Sequence, residues 1–244
     1  MIKLENFEVL GWEHAIRGMR NPMNSWEKSD SGPCMGICGT CGGNDGNGHC
    51  LDKPYILGPN DHDLMMKLRN AGTDHRKYMR MITVYVDITA PLYWWKEADT
   101  YKVGIVANSC STMHKIHEKE FTLEDFSCEH LTEASLSLLE DVIISLNVDR
   151  AYFNKYDEKL KKDLTQEKII ELAELKKDHW WNMIQLLPSS YNQRRTVMLN
   201  YEVLANIYKS RKNHKLDEWR EFCKWIESLP YSEIITGNIK ESED

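Results

Sequence analysis

Between Ser29 and Asn60 the chain carries eight of its thirteen glycines, together with Pro33, Pro54 and Pro59. Glycine loses more freedom on ordering than any other residue and proline withholds a backbone donor, so this stretch can continue neither a helix nor an inner strand. It therefore predicts a Cys/Gly-rich insertion over 29–60, separating a short leading segment from a long trailing one. The same stretch holds Cys34, Cys38, Cys41 and Cys50, with His49 beside the last. Thiolates at this spacing in a Gly-rich loop can converge on Zn or an Fe–S cluster, because the glycines permit the turns. The alternative is a set of reduced thiols in a flexible lid. Spacing leaves both open, and no metal ligand is assigned.

Regular structure is legible on either side. Residues 4–10 alternate loosely and predict an edge strand. A helix is expected over Trp12–Arg20, ended by Asn21-Pro22. Asn60-Asp61 caps a helix that runs to about Ala71 and closes at Gly72. The β-branched run Met81–Thr89 predicts a strand, Pro91 the first turn of a helix bearing Tyr93–Glu97, and Val103–Ala107 a short strand or turn. Later helices are expected over Thr132–Leu146, from Thr165 to Leu187 before Pro188, over Thr196–Lys212 and over Leu216–Leu229. Lys155–Asp163 reads as a solvated helix face. The sum is an α+β fold, with a small antiparallel or mixed sheet and a helix-rich second half. One domain is expected over 1–235, with a frayed tail at 236–244.

Composition excludes several classes. With 41% apolar and 28% charged residues in 244, the chain is not broadly disordered and can bury a core. No apolar run reaches the ~20 residues of a membrane helix. A net charge of −7 weighs against a nucleic-acid polymer as partner, while local cations leave room for a small phosphate. The opening Met1-Ile2-Lys3-Leu4-Glu5 puts charges where a secretory signal would be apolar, and the seven cysteines are an odd number. Both point to the cytoplasm.

Two polar constellations stand out. Asn108-Ser109-Cys110-Ser111-Thr112 leads into His114-Lys115, a set of small hydroxyls and amides suited to a phosphate or a pyrimidine edge, or to a capped turn. On a helix from Thr196, Asn200 and Arg211 would fall within roughly 20° of each other, with Asn206 about a third of a turn away. Arg211 there would hold a phosphate or form an exposed ion pair.

Residues from about 60 to 115 and from 180 to 230 resemble the flavin-dependent thymidylate synthases. The register holds from His75 through Ala90-Pro91 without a gap. That family's Gln-x-x-Arg-His-Arg falls on Glu97-Ala98-Asp99-Thr100-Tyr101-Lys102. With one inserted residue, its Asn-Glu-x-Ser-Gly-Arg-Tyr falls on Asn108 to His114. The pattern Asn-x3-Leu-x-Asn-x4-Arg is intact as Asn200, Leu204, Asn206 and Arg211, followed by His214. Leu187-Pro188 and Tyr191 also match, and Ala15-Ile16-Arg17 corresponds to an early Ala-Ala-Arg. The Cys-rich loop has no counterpart in the family pattern.

The resemblance implies a homotetrameric enzyme that binds FAD and a pyrimidine deoxynucleotide, with NADPH and methylenetetrahydrofolate as co-substrates and no enzyme thiol attacking the uracil. It implies Arg211 and Ser111 as catalytic residues. Thr83, Thr100, Tyr101, Lys102, Asn200 and Asn206 would lie on the cofactor, and Glu97, Asn108, Ser111, Thr112 and Arg211 on the substrate. Arg-His-Arg has become Thr100-Tyr101-Lys102, which removes two planar cationic forks. Arg76, Arg80, Lys96, Lys102 and Lys115 are the cations available to replace them. A hydroxymethylating enzyme and a non-catalytic nucleotide binder with a structural metal loop are the alternatives.

Overall fold

The structure, a computed structural model, describes residues 2–34 and 55–237. Expectations for Cys38, Cys41, His49 and Cys50, and for the last seven residues, lie outside that range. The fold is α+β. Strand β1 (Lys3–Leu10) leads into helix α1 (Trp12–Arg20), which ends where Asn21-Pro22 opens a 3-10 turn. Short strands β2 (Gly32–Pro33) and β3 (Tyr55–Ile56) pair antiparallel. Helix α2 (Pro59–Asn70), strand β4 (Thr83–Pro91), helix α3 (Leu92–Ala98) and strand β5 (Val106–Ser109) follow. The second half holds α4 (Glu133–Leu160), α5 (Gln166–Leu186), β6 (Asn192–Asn200), α6 (Tyr201–Arg211), α7 (Asp217–Ser228) and α8 (Glu233–Thr236). The four longer strands form one sheet in the order β1-β4-β6-β5. Among the described residues, no helix is long and apolar enough to cross a membrane.

The described chain forms two compact units. The first contains Ile88–Thr100 and Asn108–Arg195. Its core is Ile116, Phe121, Phe126, Leu139, Ile143, Leu146, Phe153 and Met183, with Trp180 and Tyr191 against it. Thr132 and Thr165 cap α4 and α5 as their sequence contexts predict, each side chain accepting from the backbone N–H three residues on. Helix α4 runs past the expected end at Leu146 because Phe153 continues its buried stripe. Asn147 is kept inside the helix, its side chain bonding both backbone groups of Phe121 at 2.9 and 2.8 Å.

The second unit contains Leu4–Asp87, Tyr101–Ala107 and the chain from Thr196 onward. Trp12, Met65, Tyr201, Leu204, Trp219, Phe222 and Ile226 fill its interior. Inside it sits a charge. Asp61, wholly buried, accepts from Arg20 Nε at 2.6 Å, from the Ser29 and Ser31 hydroxyls, and from the Asp30 and Ser31 backbone. Burial opposes ionisation of Asp61, but these hydrogen bonds hold its carboxyl below the usual range.

Two expectations are corrected. Asn60-Asp61 does not cap α2 but lies inside it, since the helix starts at Pro59; Asp30 caps it from outside, accepting from the backbone N–H of Asn60 and Asp61 at 2.9 and 3.1 Å. The segment from Thr196 to Asn200 is strand, not helix. Val197 and Leu199 are buried alternately, and Thr196 donates to Asp87 at 2.6 Å, so sheet pairing overrides the helical reading. The helix starts at Tyr201, and Asn200 caps it with its Oδ1 3.0 Å from the Val203 N–H.

Candidate functional site

Arg211 closes α6, and its guanidinium is framed by rings. It lies 4.9 Å from the Trp219 ring centre and 5.7 Å from that of Tyr101. Its Nε donates to the Tyr101 hydroxyl at 2.9 Å. The tyrosine standing in the altered triplet is thus one orienting partner of Arg211. Next to it Lys102 is exposed, and the chain turns at Gly104 with φ +83°. A Cβ on Gly104 would stand 2.9 Å from Asn200 Nδ2 and 3.0 Å from Val203 Cγ2, so both the left-handed turn and the close approach to the start of α6 favour glycine.

Further along α6, Asn206 Oδ1 accepts from Arg76 Nη2 at 3.1 Å. Arg76 Nε pairs with buried Glu202 at 3.0–3.2 Å, which fixes a second guanidinium. Thr83 stands half-buried at the start of β4. Because Asn200 is an extended cap rather than a helical residue, its expected place on one helix face with Arg211 does not hold. His214 Nδ1 accepts from the Leu216 N–H at 3.2 Å and helps shape the turn into α7.

The first unit holds the other expected residues. Thr100 Oγ1 donates to the Glu97 carbonyl at 2.7 Å, ending α3. Asn108 lies exposed on β5, with Ser111 and Thr112 half-buried just beyond it. Ser111 Oγ accepts from the His114 backbone N–H at 3.0 Å, a turn-forming contact rather than a hydroxyl-to-imidazole pair. The Cys110 backbone is pinned to β6, its N–H on the Arg194 carbonyl and its carbonyl on Gln193 Nε2, both at 2.9 Å.

Arg195 is the residue that sequence reasoning missed. Its guanidinium stacks 4.1 Å above Trp95, bonds Gln193 Oε1 at 3.0 Å and pairs with Asp99 at 2.8 Å. The only available signal, a cation two residues after Gln193, was hidden because the following residues read as helix.

The structure therefore places Tyr101, Lys102, Asn200, Asn206, Arg211 and Thr83 in one unit, and Glu97, Thr100, Asn108, Ser111 and Thr112 in the other. Cys110, Cys128 and Cys223 are free thiols, and burial followed by the nearby Glu227 pushes Cys223 up to about 11. Among the described residues no group of three or more His, Cys, Asp or Glu side chains is arranged to hold a metal ion.

No protein-family model and no curated protein sequence matches the chain. Solved structures do. Thymidylate synthase X (ThyX) from Helicobacter pylori with FAD and dUMP superposes with a TM-score of 0.59 at 15% identity, covering 97% of this chain and 98% of that one. A second structure, flavin-dependent thymidylate synthase ThyX from the same organism complexed with FAD and dUMP, gives 0.58 at 15% identity over 98% and 99%. The likeness spans both chains nearly end to end: this chain has the fold of those flavin-dependent thymidylate synthase structures.

Proposed function

We propose that the protein is an FAD-dependent enzyme of the thymidylate synthase type, acting in the cytoplasm as a homotetramer. Its reaction is the reductive C5 methylation of dUMP, or a related pyrimidine deoxynucleotide, with methylenetetrahydrofolate and NADPH. The observation that carries this reading is Arg211, retained in the pattern Asn200, Leu204, Asn206, Arg211 and held by Tyr101 and Trp219 in a fold shared with ThyX. A planar guanidinium presents paired N–H donors to a uracil oxygen or a phosphate and draws charge out of the pyrimidine ring.

The donor set suits FAD. Arg76 is fixed by Glu202 and Asn206, Lys102 stands exposed beside Tyr101, and Asn206 adds an exposed amide. Cations of this kind match the phosphates and the amide matches the ring edge. When bound, FAD supplies the hydride that completes the new methyl group. Asn200 sets the start of α6 and so positions Asn206 and Arg211, while Thr83 lies on the cofactor side. Glu97, Asn108, Ser111 and Thr112 orient the nucleotide, with the Ser111 hydroxyl near the uracil. Arg195, fixed on Trp95, returns a cationic fork to the segment that lost two.

Freshly purified protein should show the blue absorption bands of a flavin, and should convert dUMP to dTMP with methylenetetrahydrofolate and NADPH. Flavin-free protein that binds no added FAD would overturn the reading. One observation favours a second reading: Thr100 and Tyr101 spend their hydroxyls within the protein, so the altered triplet grips less than two arginines would. A hydroxymethylated nucleotide as product, identified by mass, or nucleotide binding without turnover, would favour that alternative.

A further inference from the structure

A groove of about 460 Å³ opens in the second unit; Arg211 is not part of its lining, which includes Glu13 and Arg17 of α1, Trp26 and Tyr55. That volume suits a small heterocyclic ligand. Trp26 is 49% exposed, yet its indole N–H is tied to Asn21 Oδ1 at 2.8 Å, so a large aromatic face is held in place without being covered. Glu13 and Arg17 are four residues apart, the spacing at which opposite charges on a helix usually pair. Here they do not pair with each other or with any other charge among the described residues. Arg17 Nη2 instead lies 3.0 Å from His14 Nδ1. The Tyr55 hydroxyl on the same lining is pushed up by burial, then by the Glu13 and Asp61 carboxylates. An unpaired carboxylate, an unpaired guanidinium and a pinned indole therefore share one concave surface.

We propose that this groove binds a 2-amino-4-oxopyrimidine ring, the unit common to pterins and guanines. A carboxylate accepts from the ring's amino group and adjacent N–H, a guanidinium donates to its oxo oxygen, and an indole stacks on its face. Glu13, Arg17 and Trp26 take those three parts. Adenine has no oxo group and reverses the donor pattern, so it is the natural discriminator. The inference does not depend on the function proposed above; a pterin ligand would add a folate subsite to that reading, and a guanine ligand a separate nucleotide site.

Calorimetric titration of the full chain with folinate, GMP and AMP tests it. Folinate or GMP should bind and AMP should not, and which of the two binds names the source of the ring. Glu13→Gln and Arg17→Ala should each weaken that binding at least ~10-fold, the loss expected when a charged hydrogen-bond partner is removed. Both side chains are exposed, so the circular dichroism and melting of these variants should match the parent. Repeating the titration in Arg211→Ala should leave the affinity unchanged, which separates this site from the proposed reaction. Failure of folinate and GMP to bind, equal binding of AMP, or affinities unmoved by Glu13→Gln and Arg17→Ala would each overturn the proposal.

Discussion

Arg20 and Arg211 each close a helix in the same unit, and they are held in opposite ways. Arg20 is buried against an ionised Asp61, and three of its other N–H groups go to the Ser25 and Lys28 carbonyls and the Ser25 hydroxyl. Arg211 is held by two aromatic rings and one phenolic hydroxyl. An ion pair with backbone contacts consumes donors and leaves a charge whose whole role is structural. A ring contact fixes a guanidinium through its face rather than through its N–H groups. Arg20 is thereby a strut of the fold, while Arg211 is the arginine that the proposed function assigns to the nucleotide.

The largest effect should come from breaking the strut. Asp61→Asn leaves Arg20 buried without its countercharge and should cost about 3–5 kcal/mol of stability, read as a lower urea midpoint. The sign of the pH dependence follows from the lowered carboxyl of Asp61. Its contribution is present above the usual carboxylate range and is lost as pH falls through and below it, so Asp61→Asn should flatten the acid limb of the stability curve.

At the second arginine, Arg211→Lys should leave melting nearly unchanged while weakening dUMP binding by about 1–3 kcal/mol, since lysine keeps the charge but loses the fork. Unchanged affinity in calorimetry would remove Arg211 from the nucleotide. Tyr101→Phe keeps the ring and removes the hydroxyl that orients Arg211, so a smaller loss of about 0.5–1.5 kcal/mol in dUMP affinity is expected. The smallest change concerns Ser111→Ala. Losing its one turn-forming hydrogen bond should shift stability by about 0.5 kcal/mol, so any marked fall in turnover would be chemical rather than structural.

Much of the fold was legible wherever a local rule decides it. The span of α1, its stop at Asn21-Pro22, the caps Thr132 and Thr165, and the break at Gly72 with φ +107° all follow from residues within one turn of each other. The candidate residues were named from pattern, and the structure divides them between two units. What was not legible is what those residues touch. Tyr101 read as a departure from Arg-His-Arg, and nothing in its neighbours reveals that it would orient Arg211.

By itself, then, the sequence determined the helical and extended segments with strong local signals and the retained Asn200-to-Arg211 pattern. Tertiary structure decided that Thr196–Asn200 joins the sheet, that Asp30 rather than Asp61 caps α2, and that Arg195 lies on Trp95. The reason is range. Propensities and caps act across three or four residues, whereas the Tyr101 hydroxyl and the Arg211 guanidinium are 110 positions apart, and only folding sets them 2.9 Å from each other.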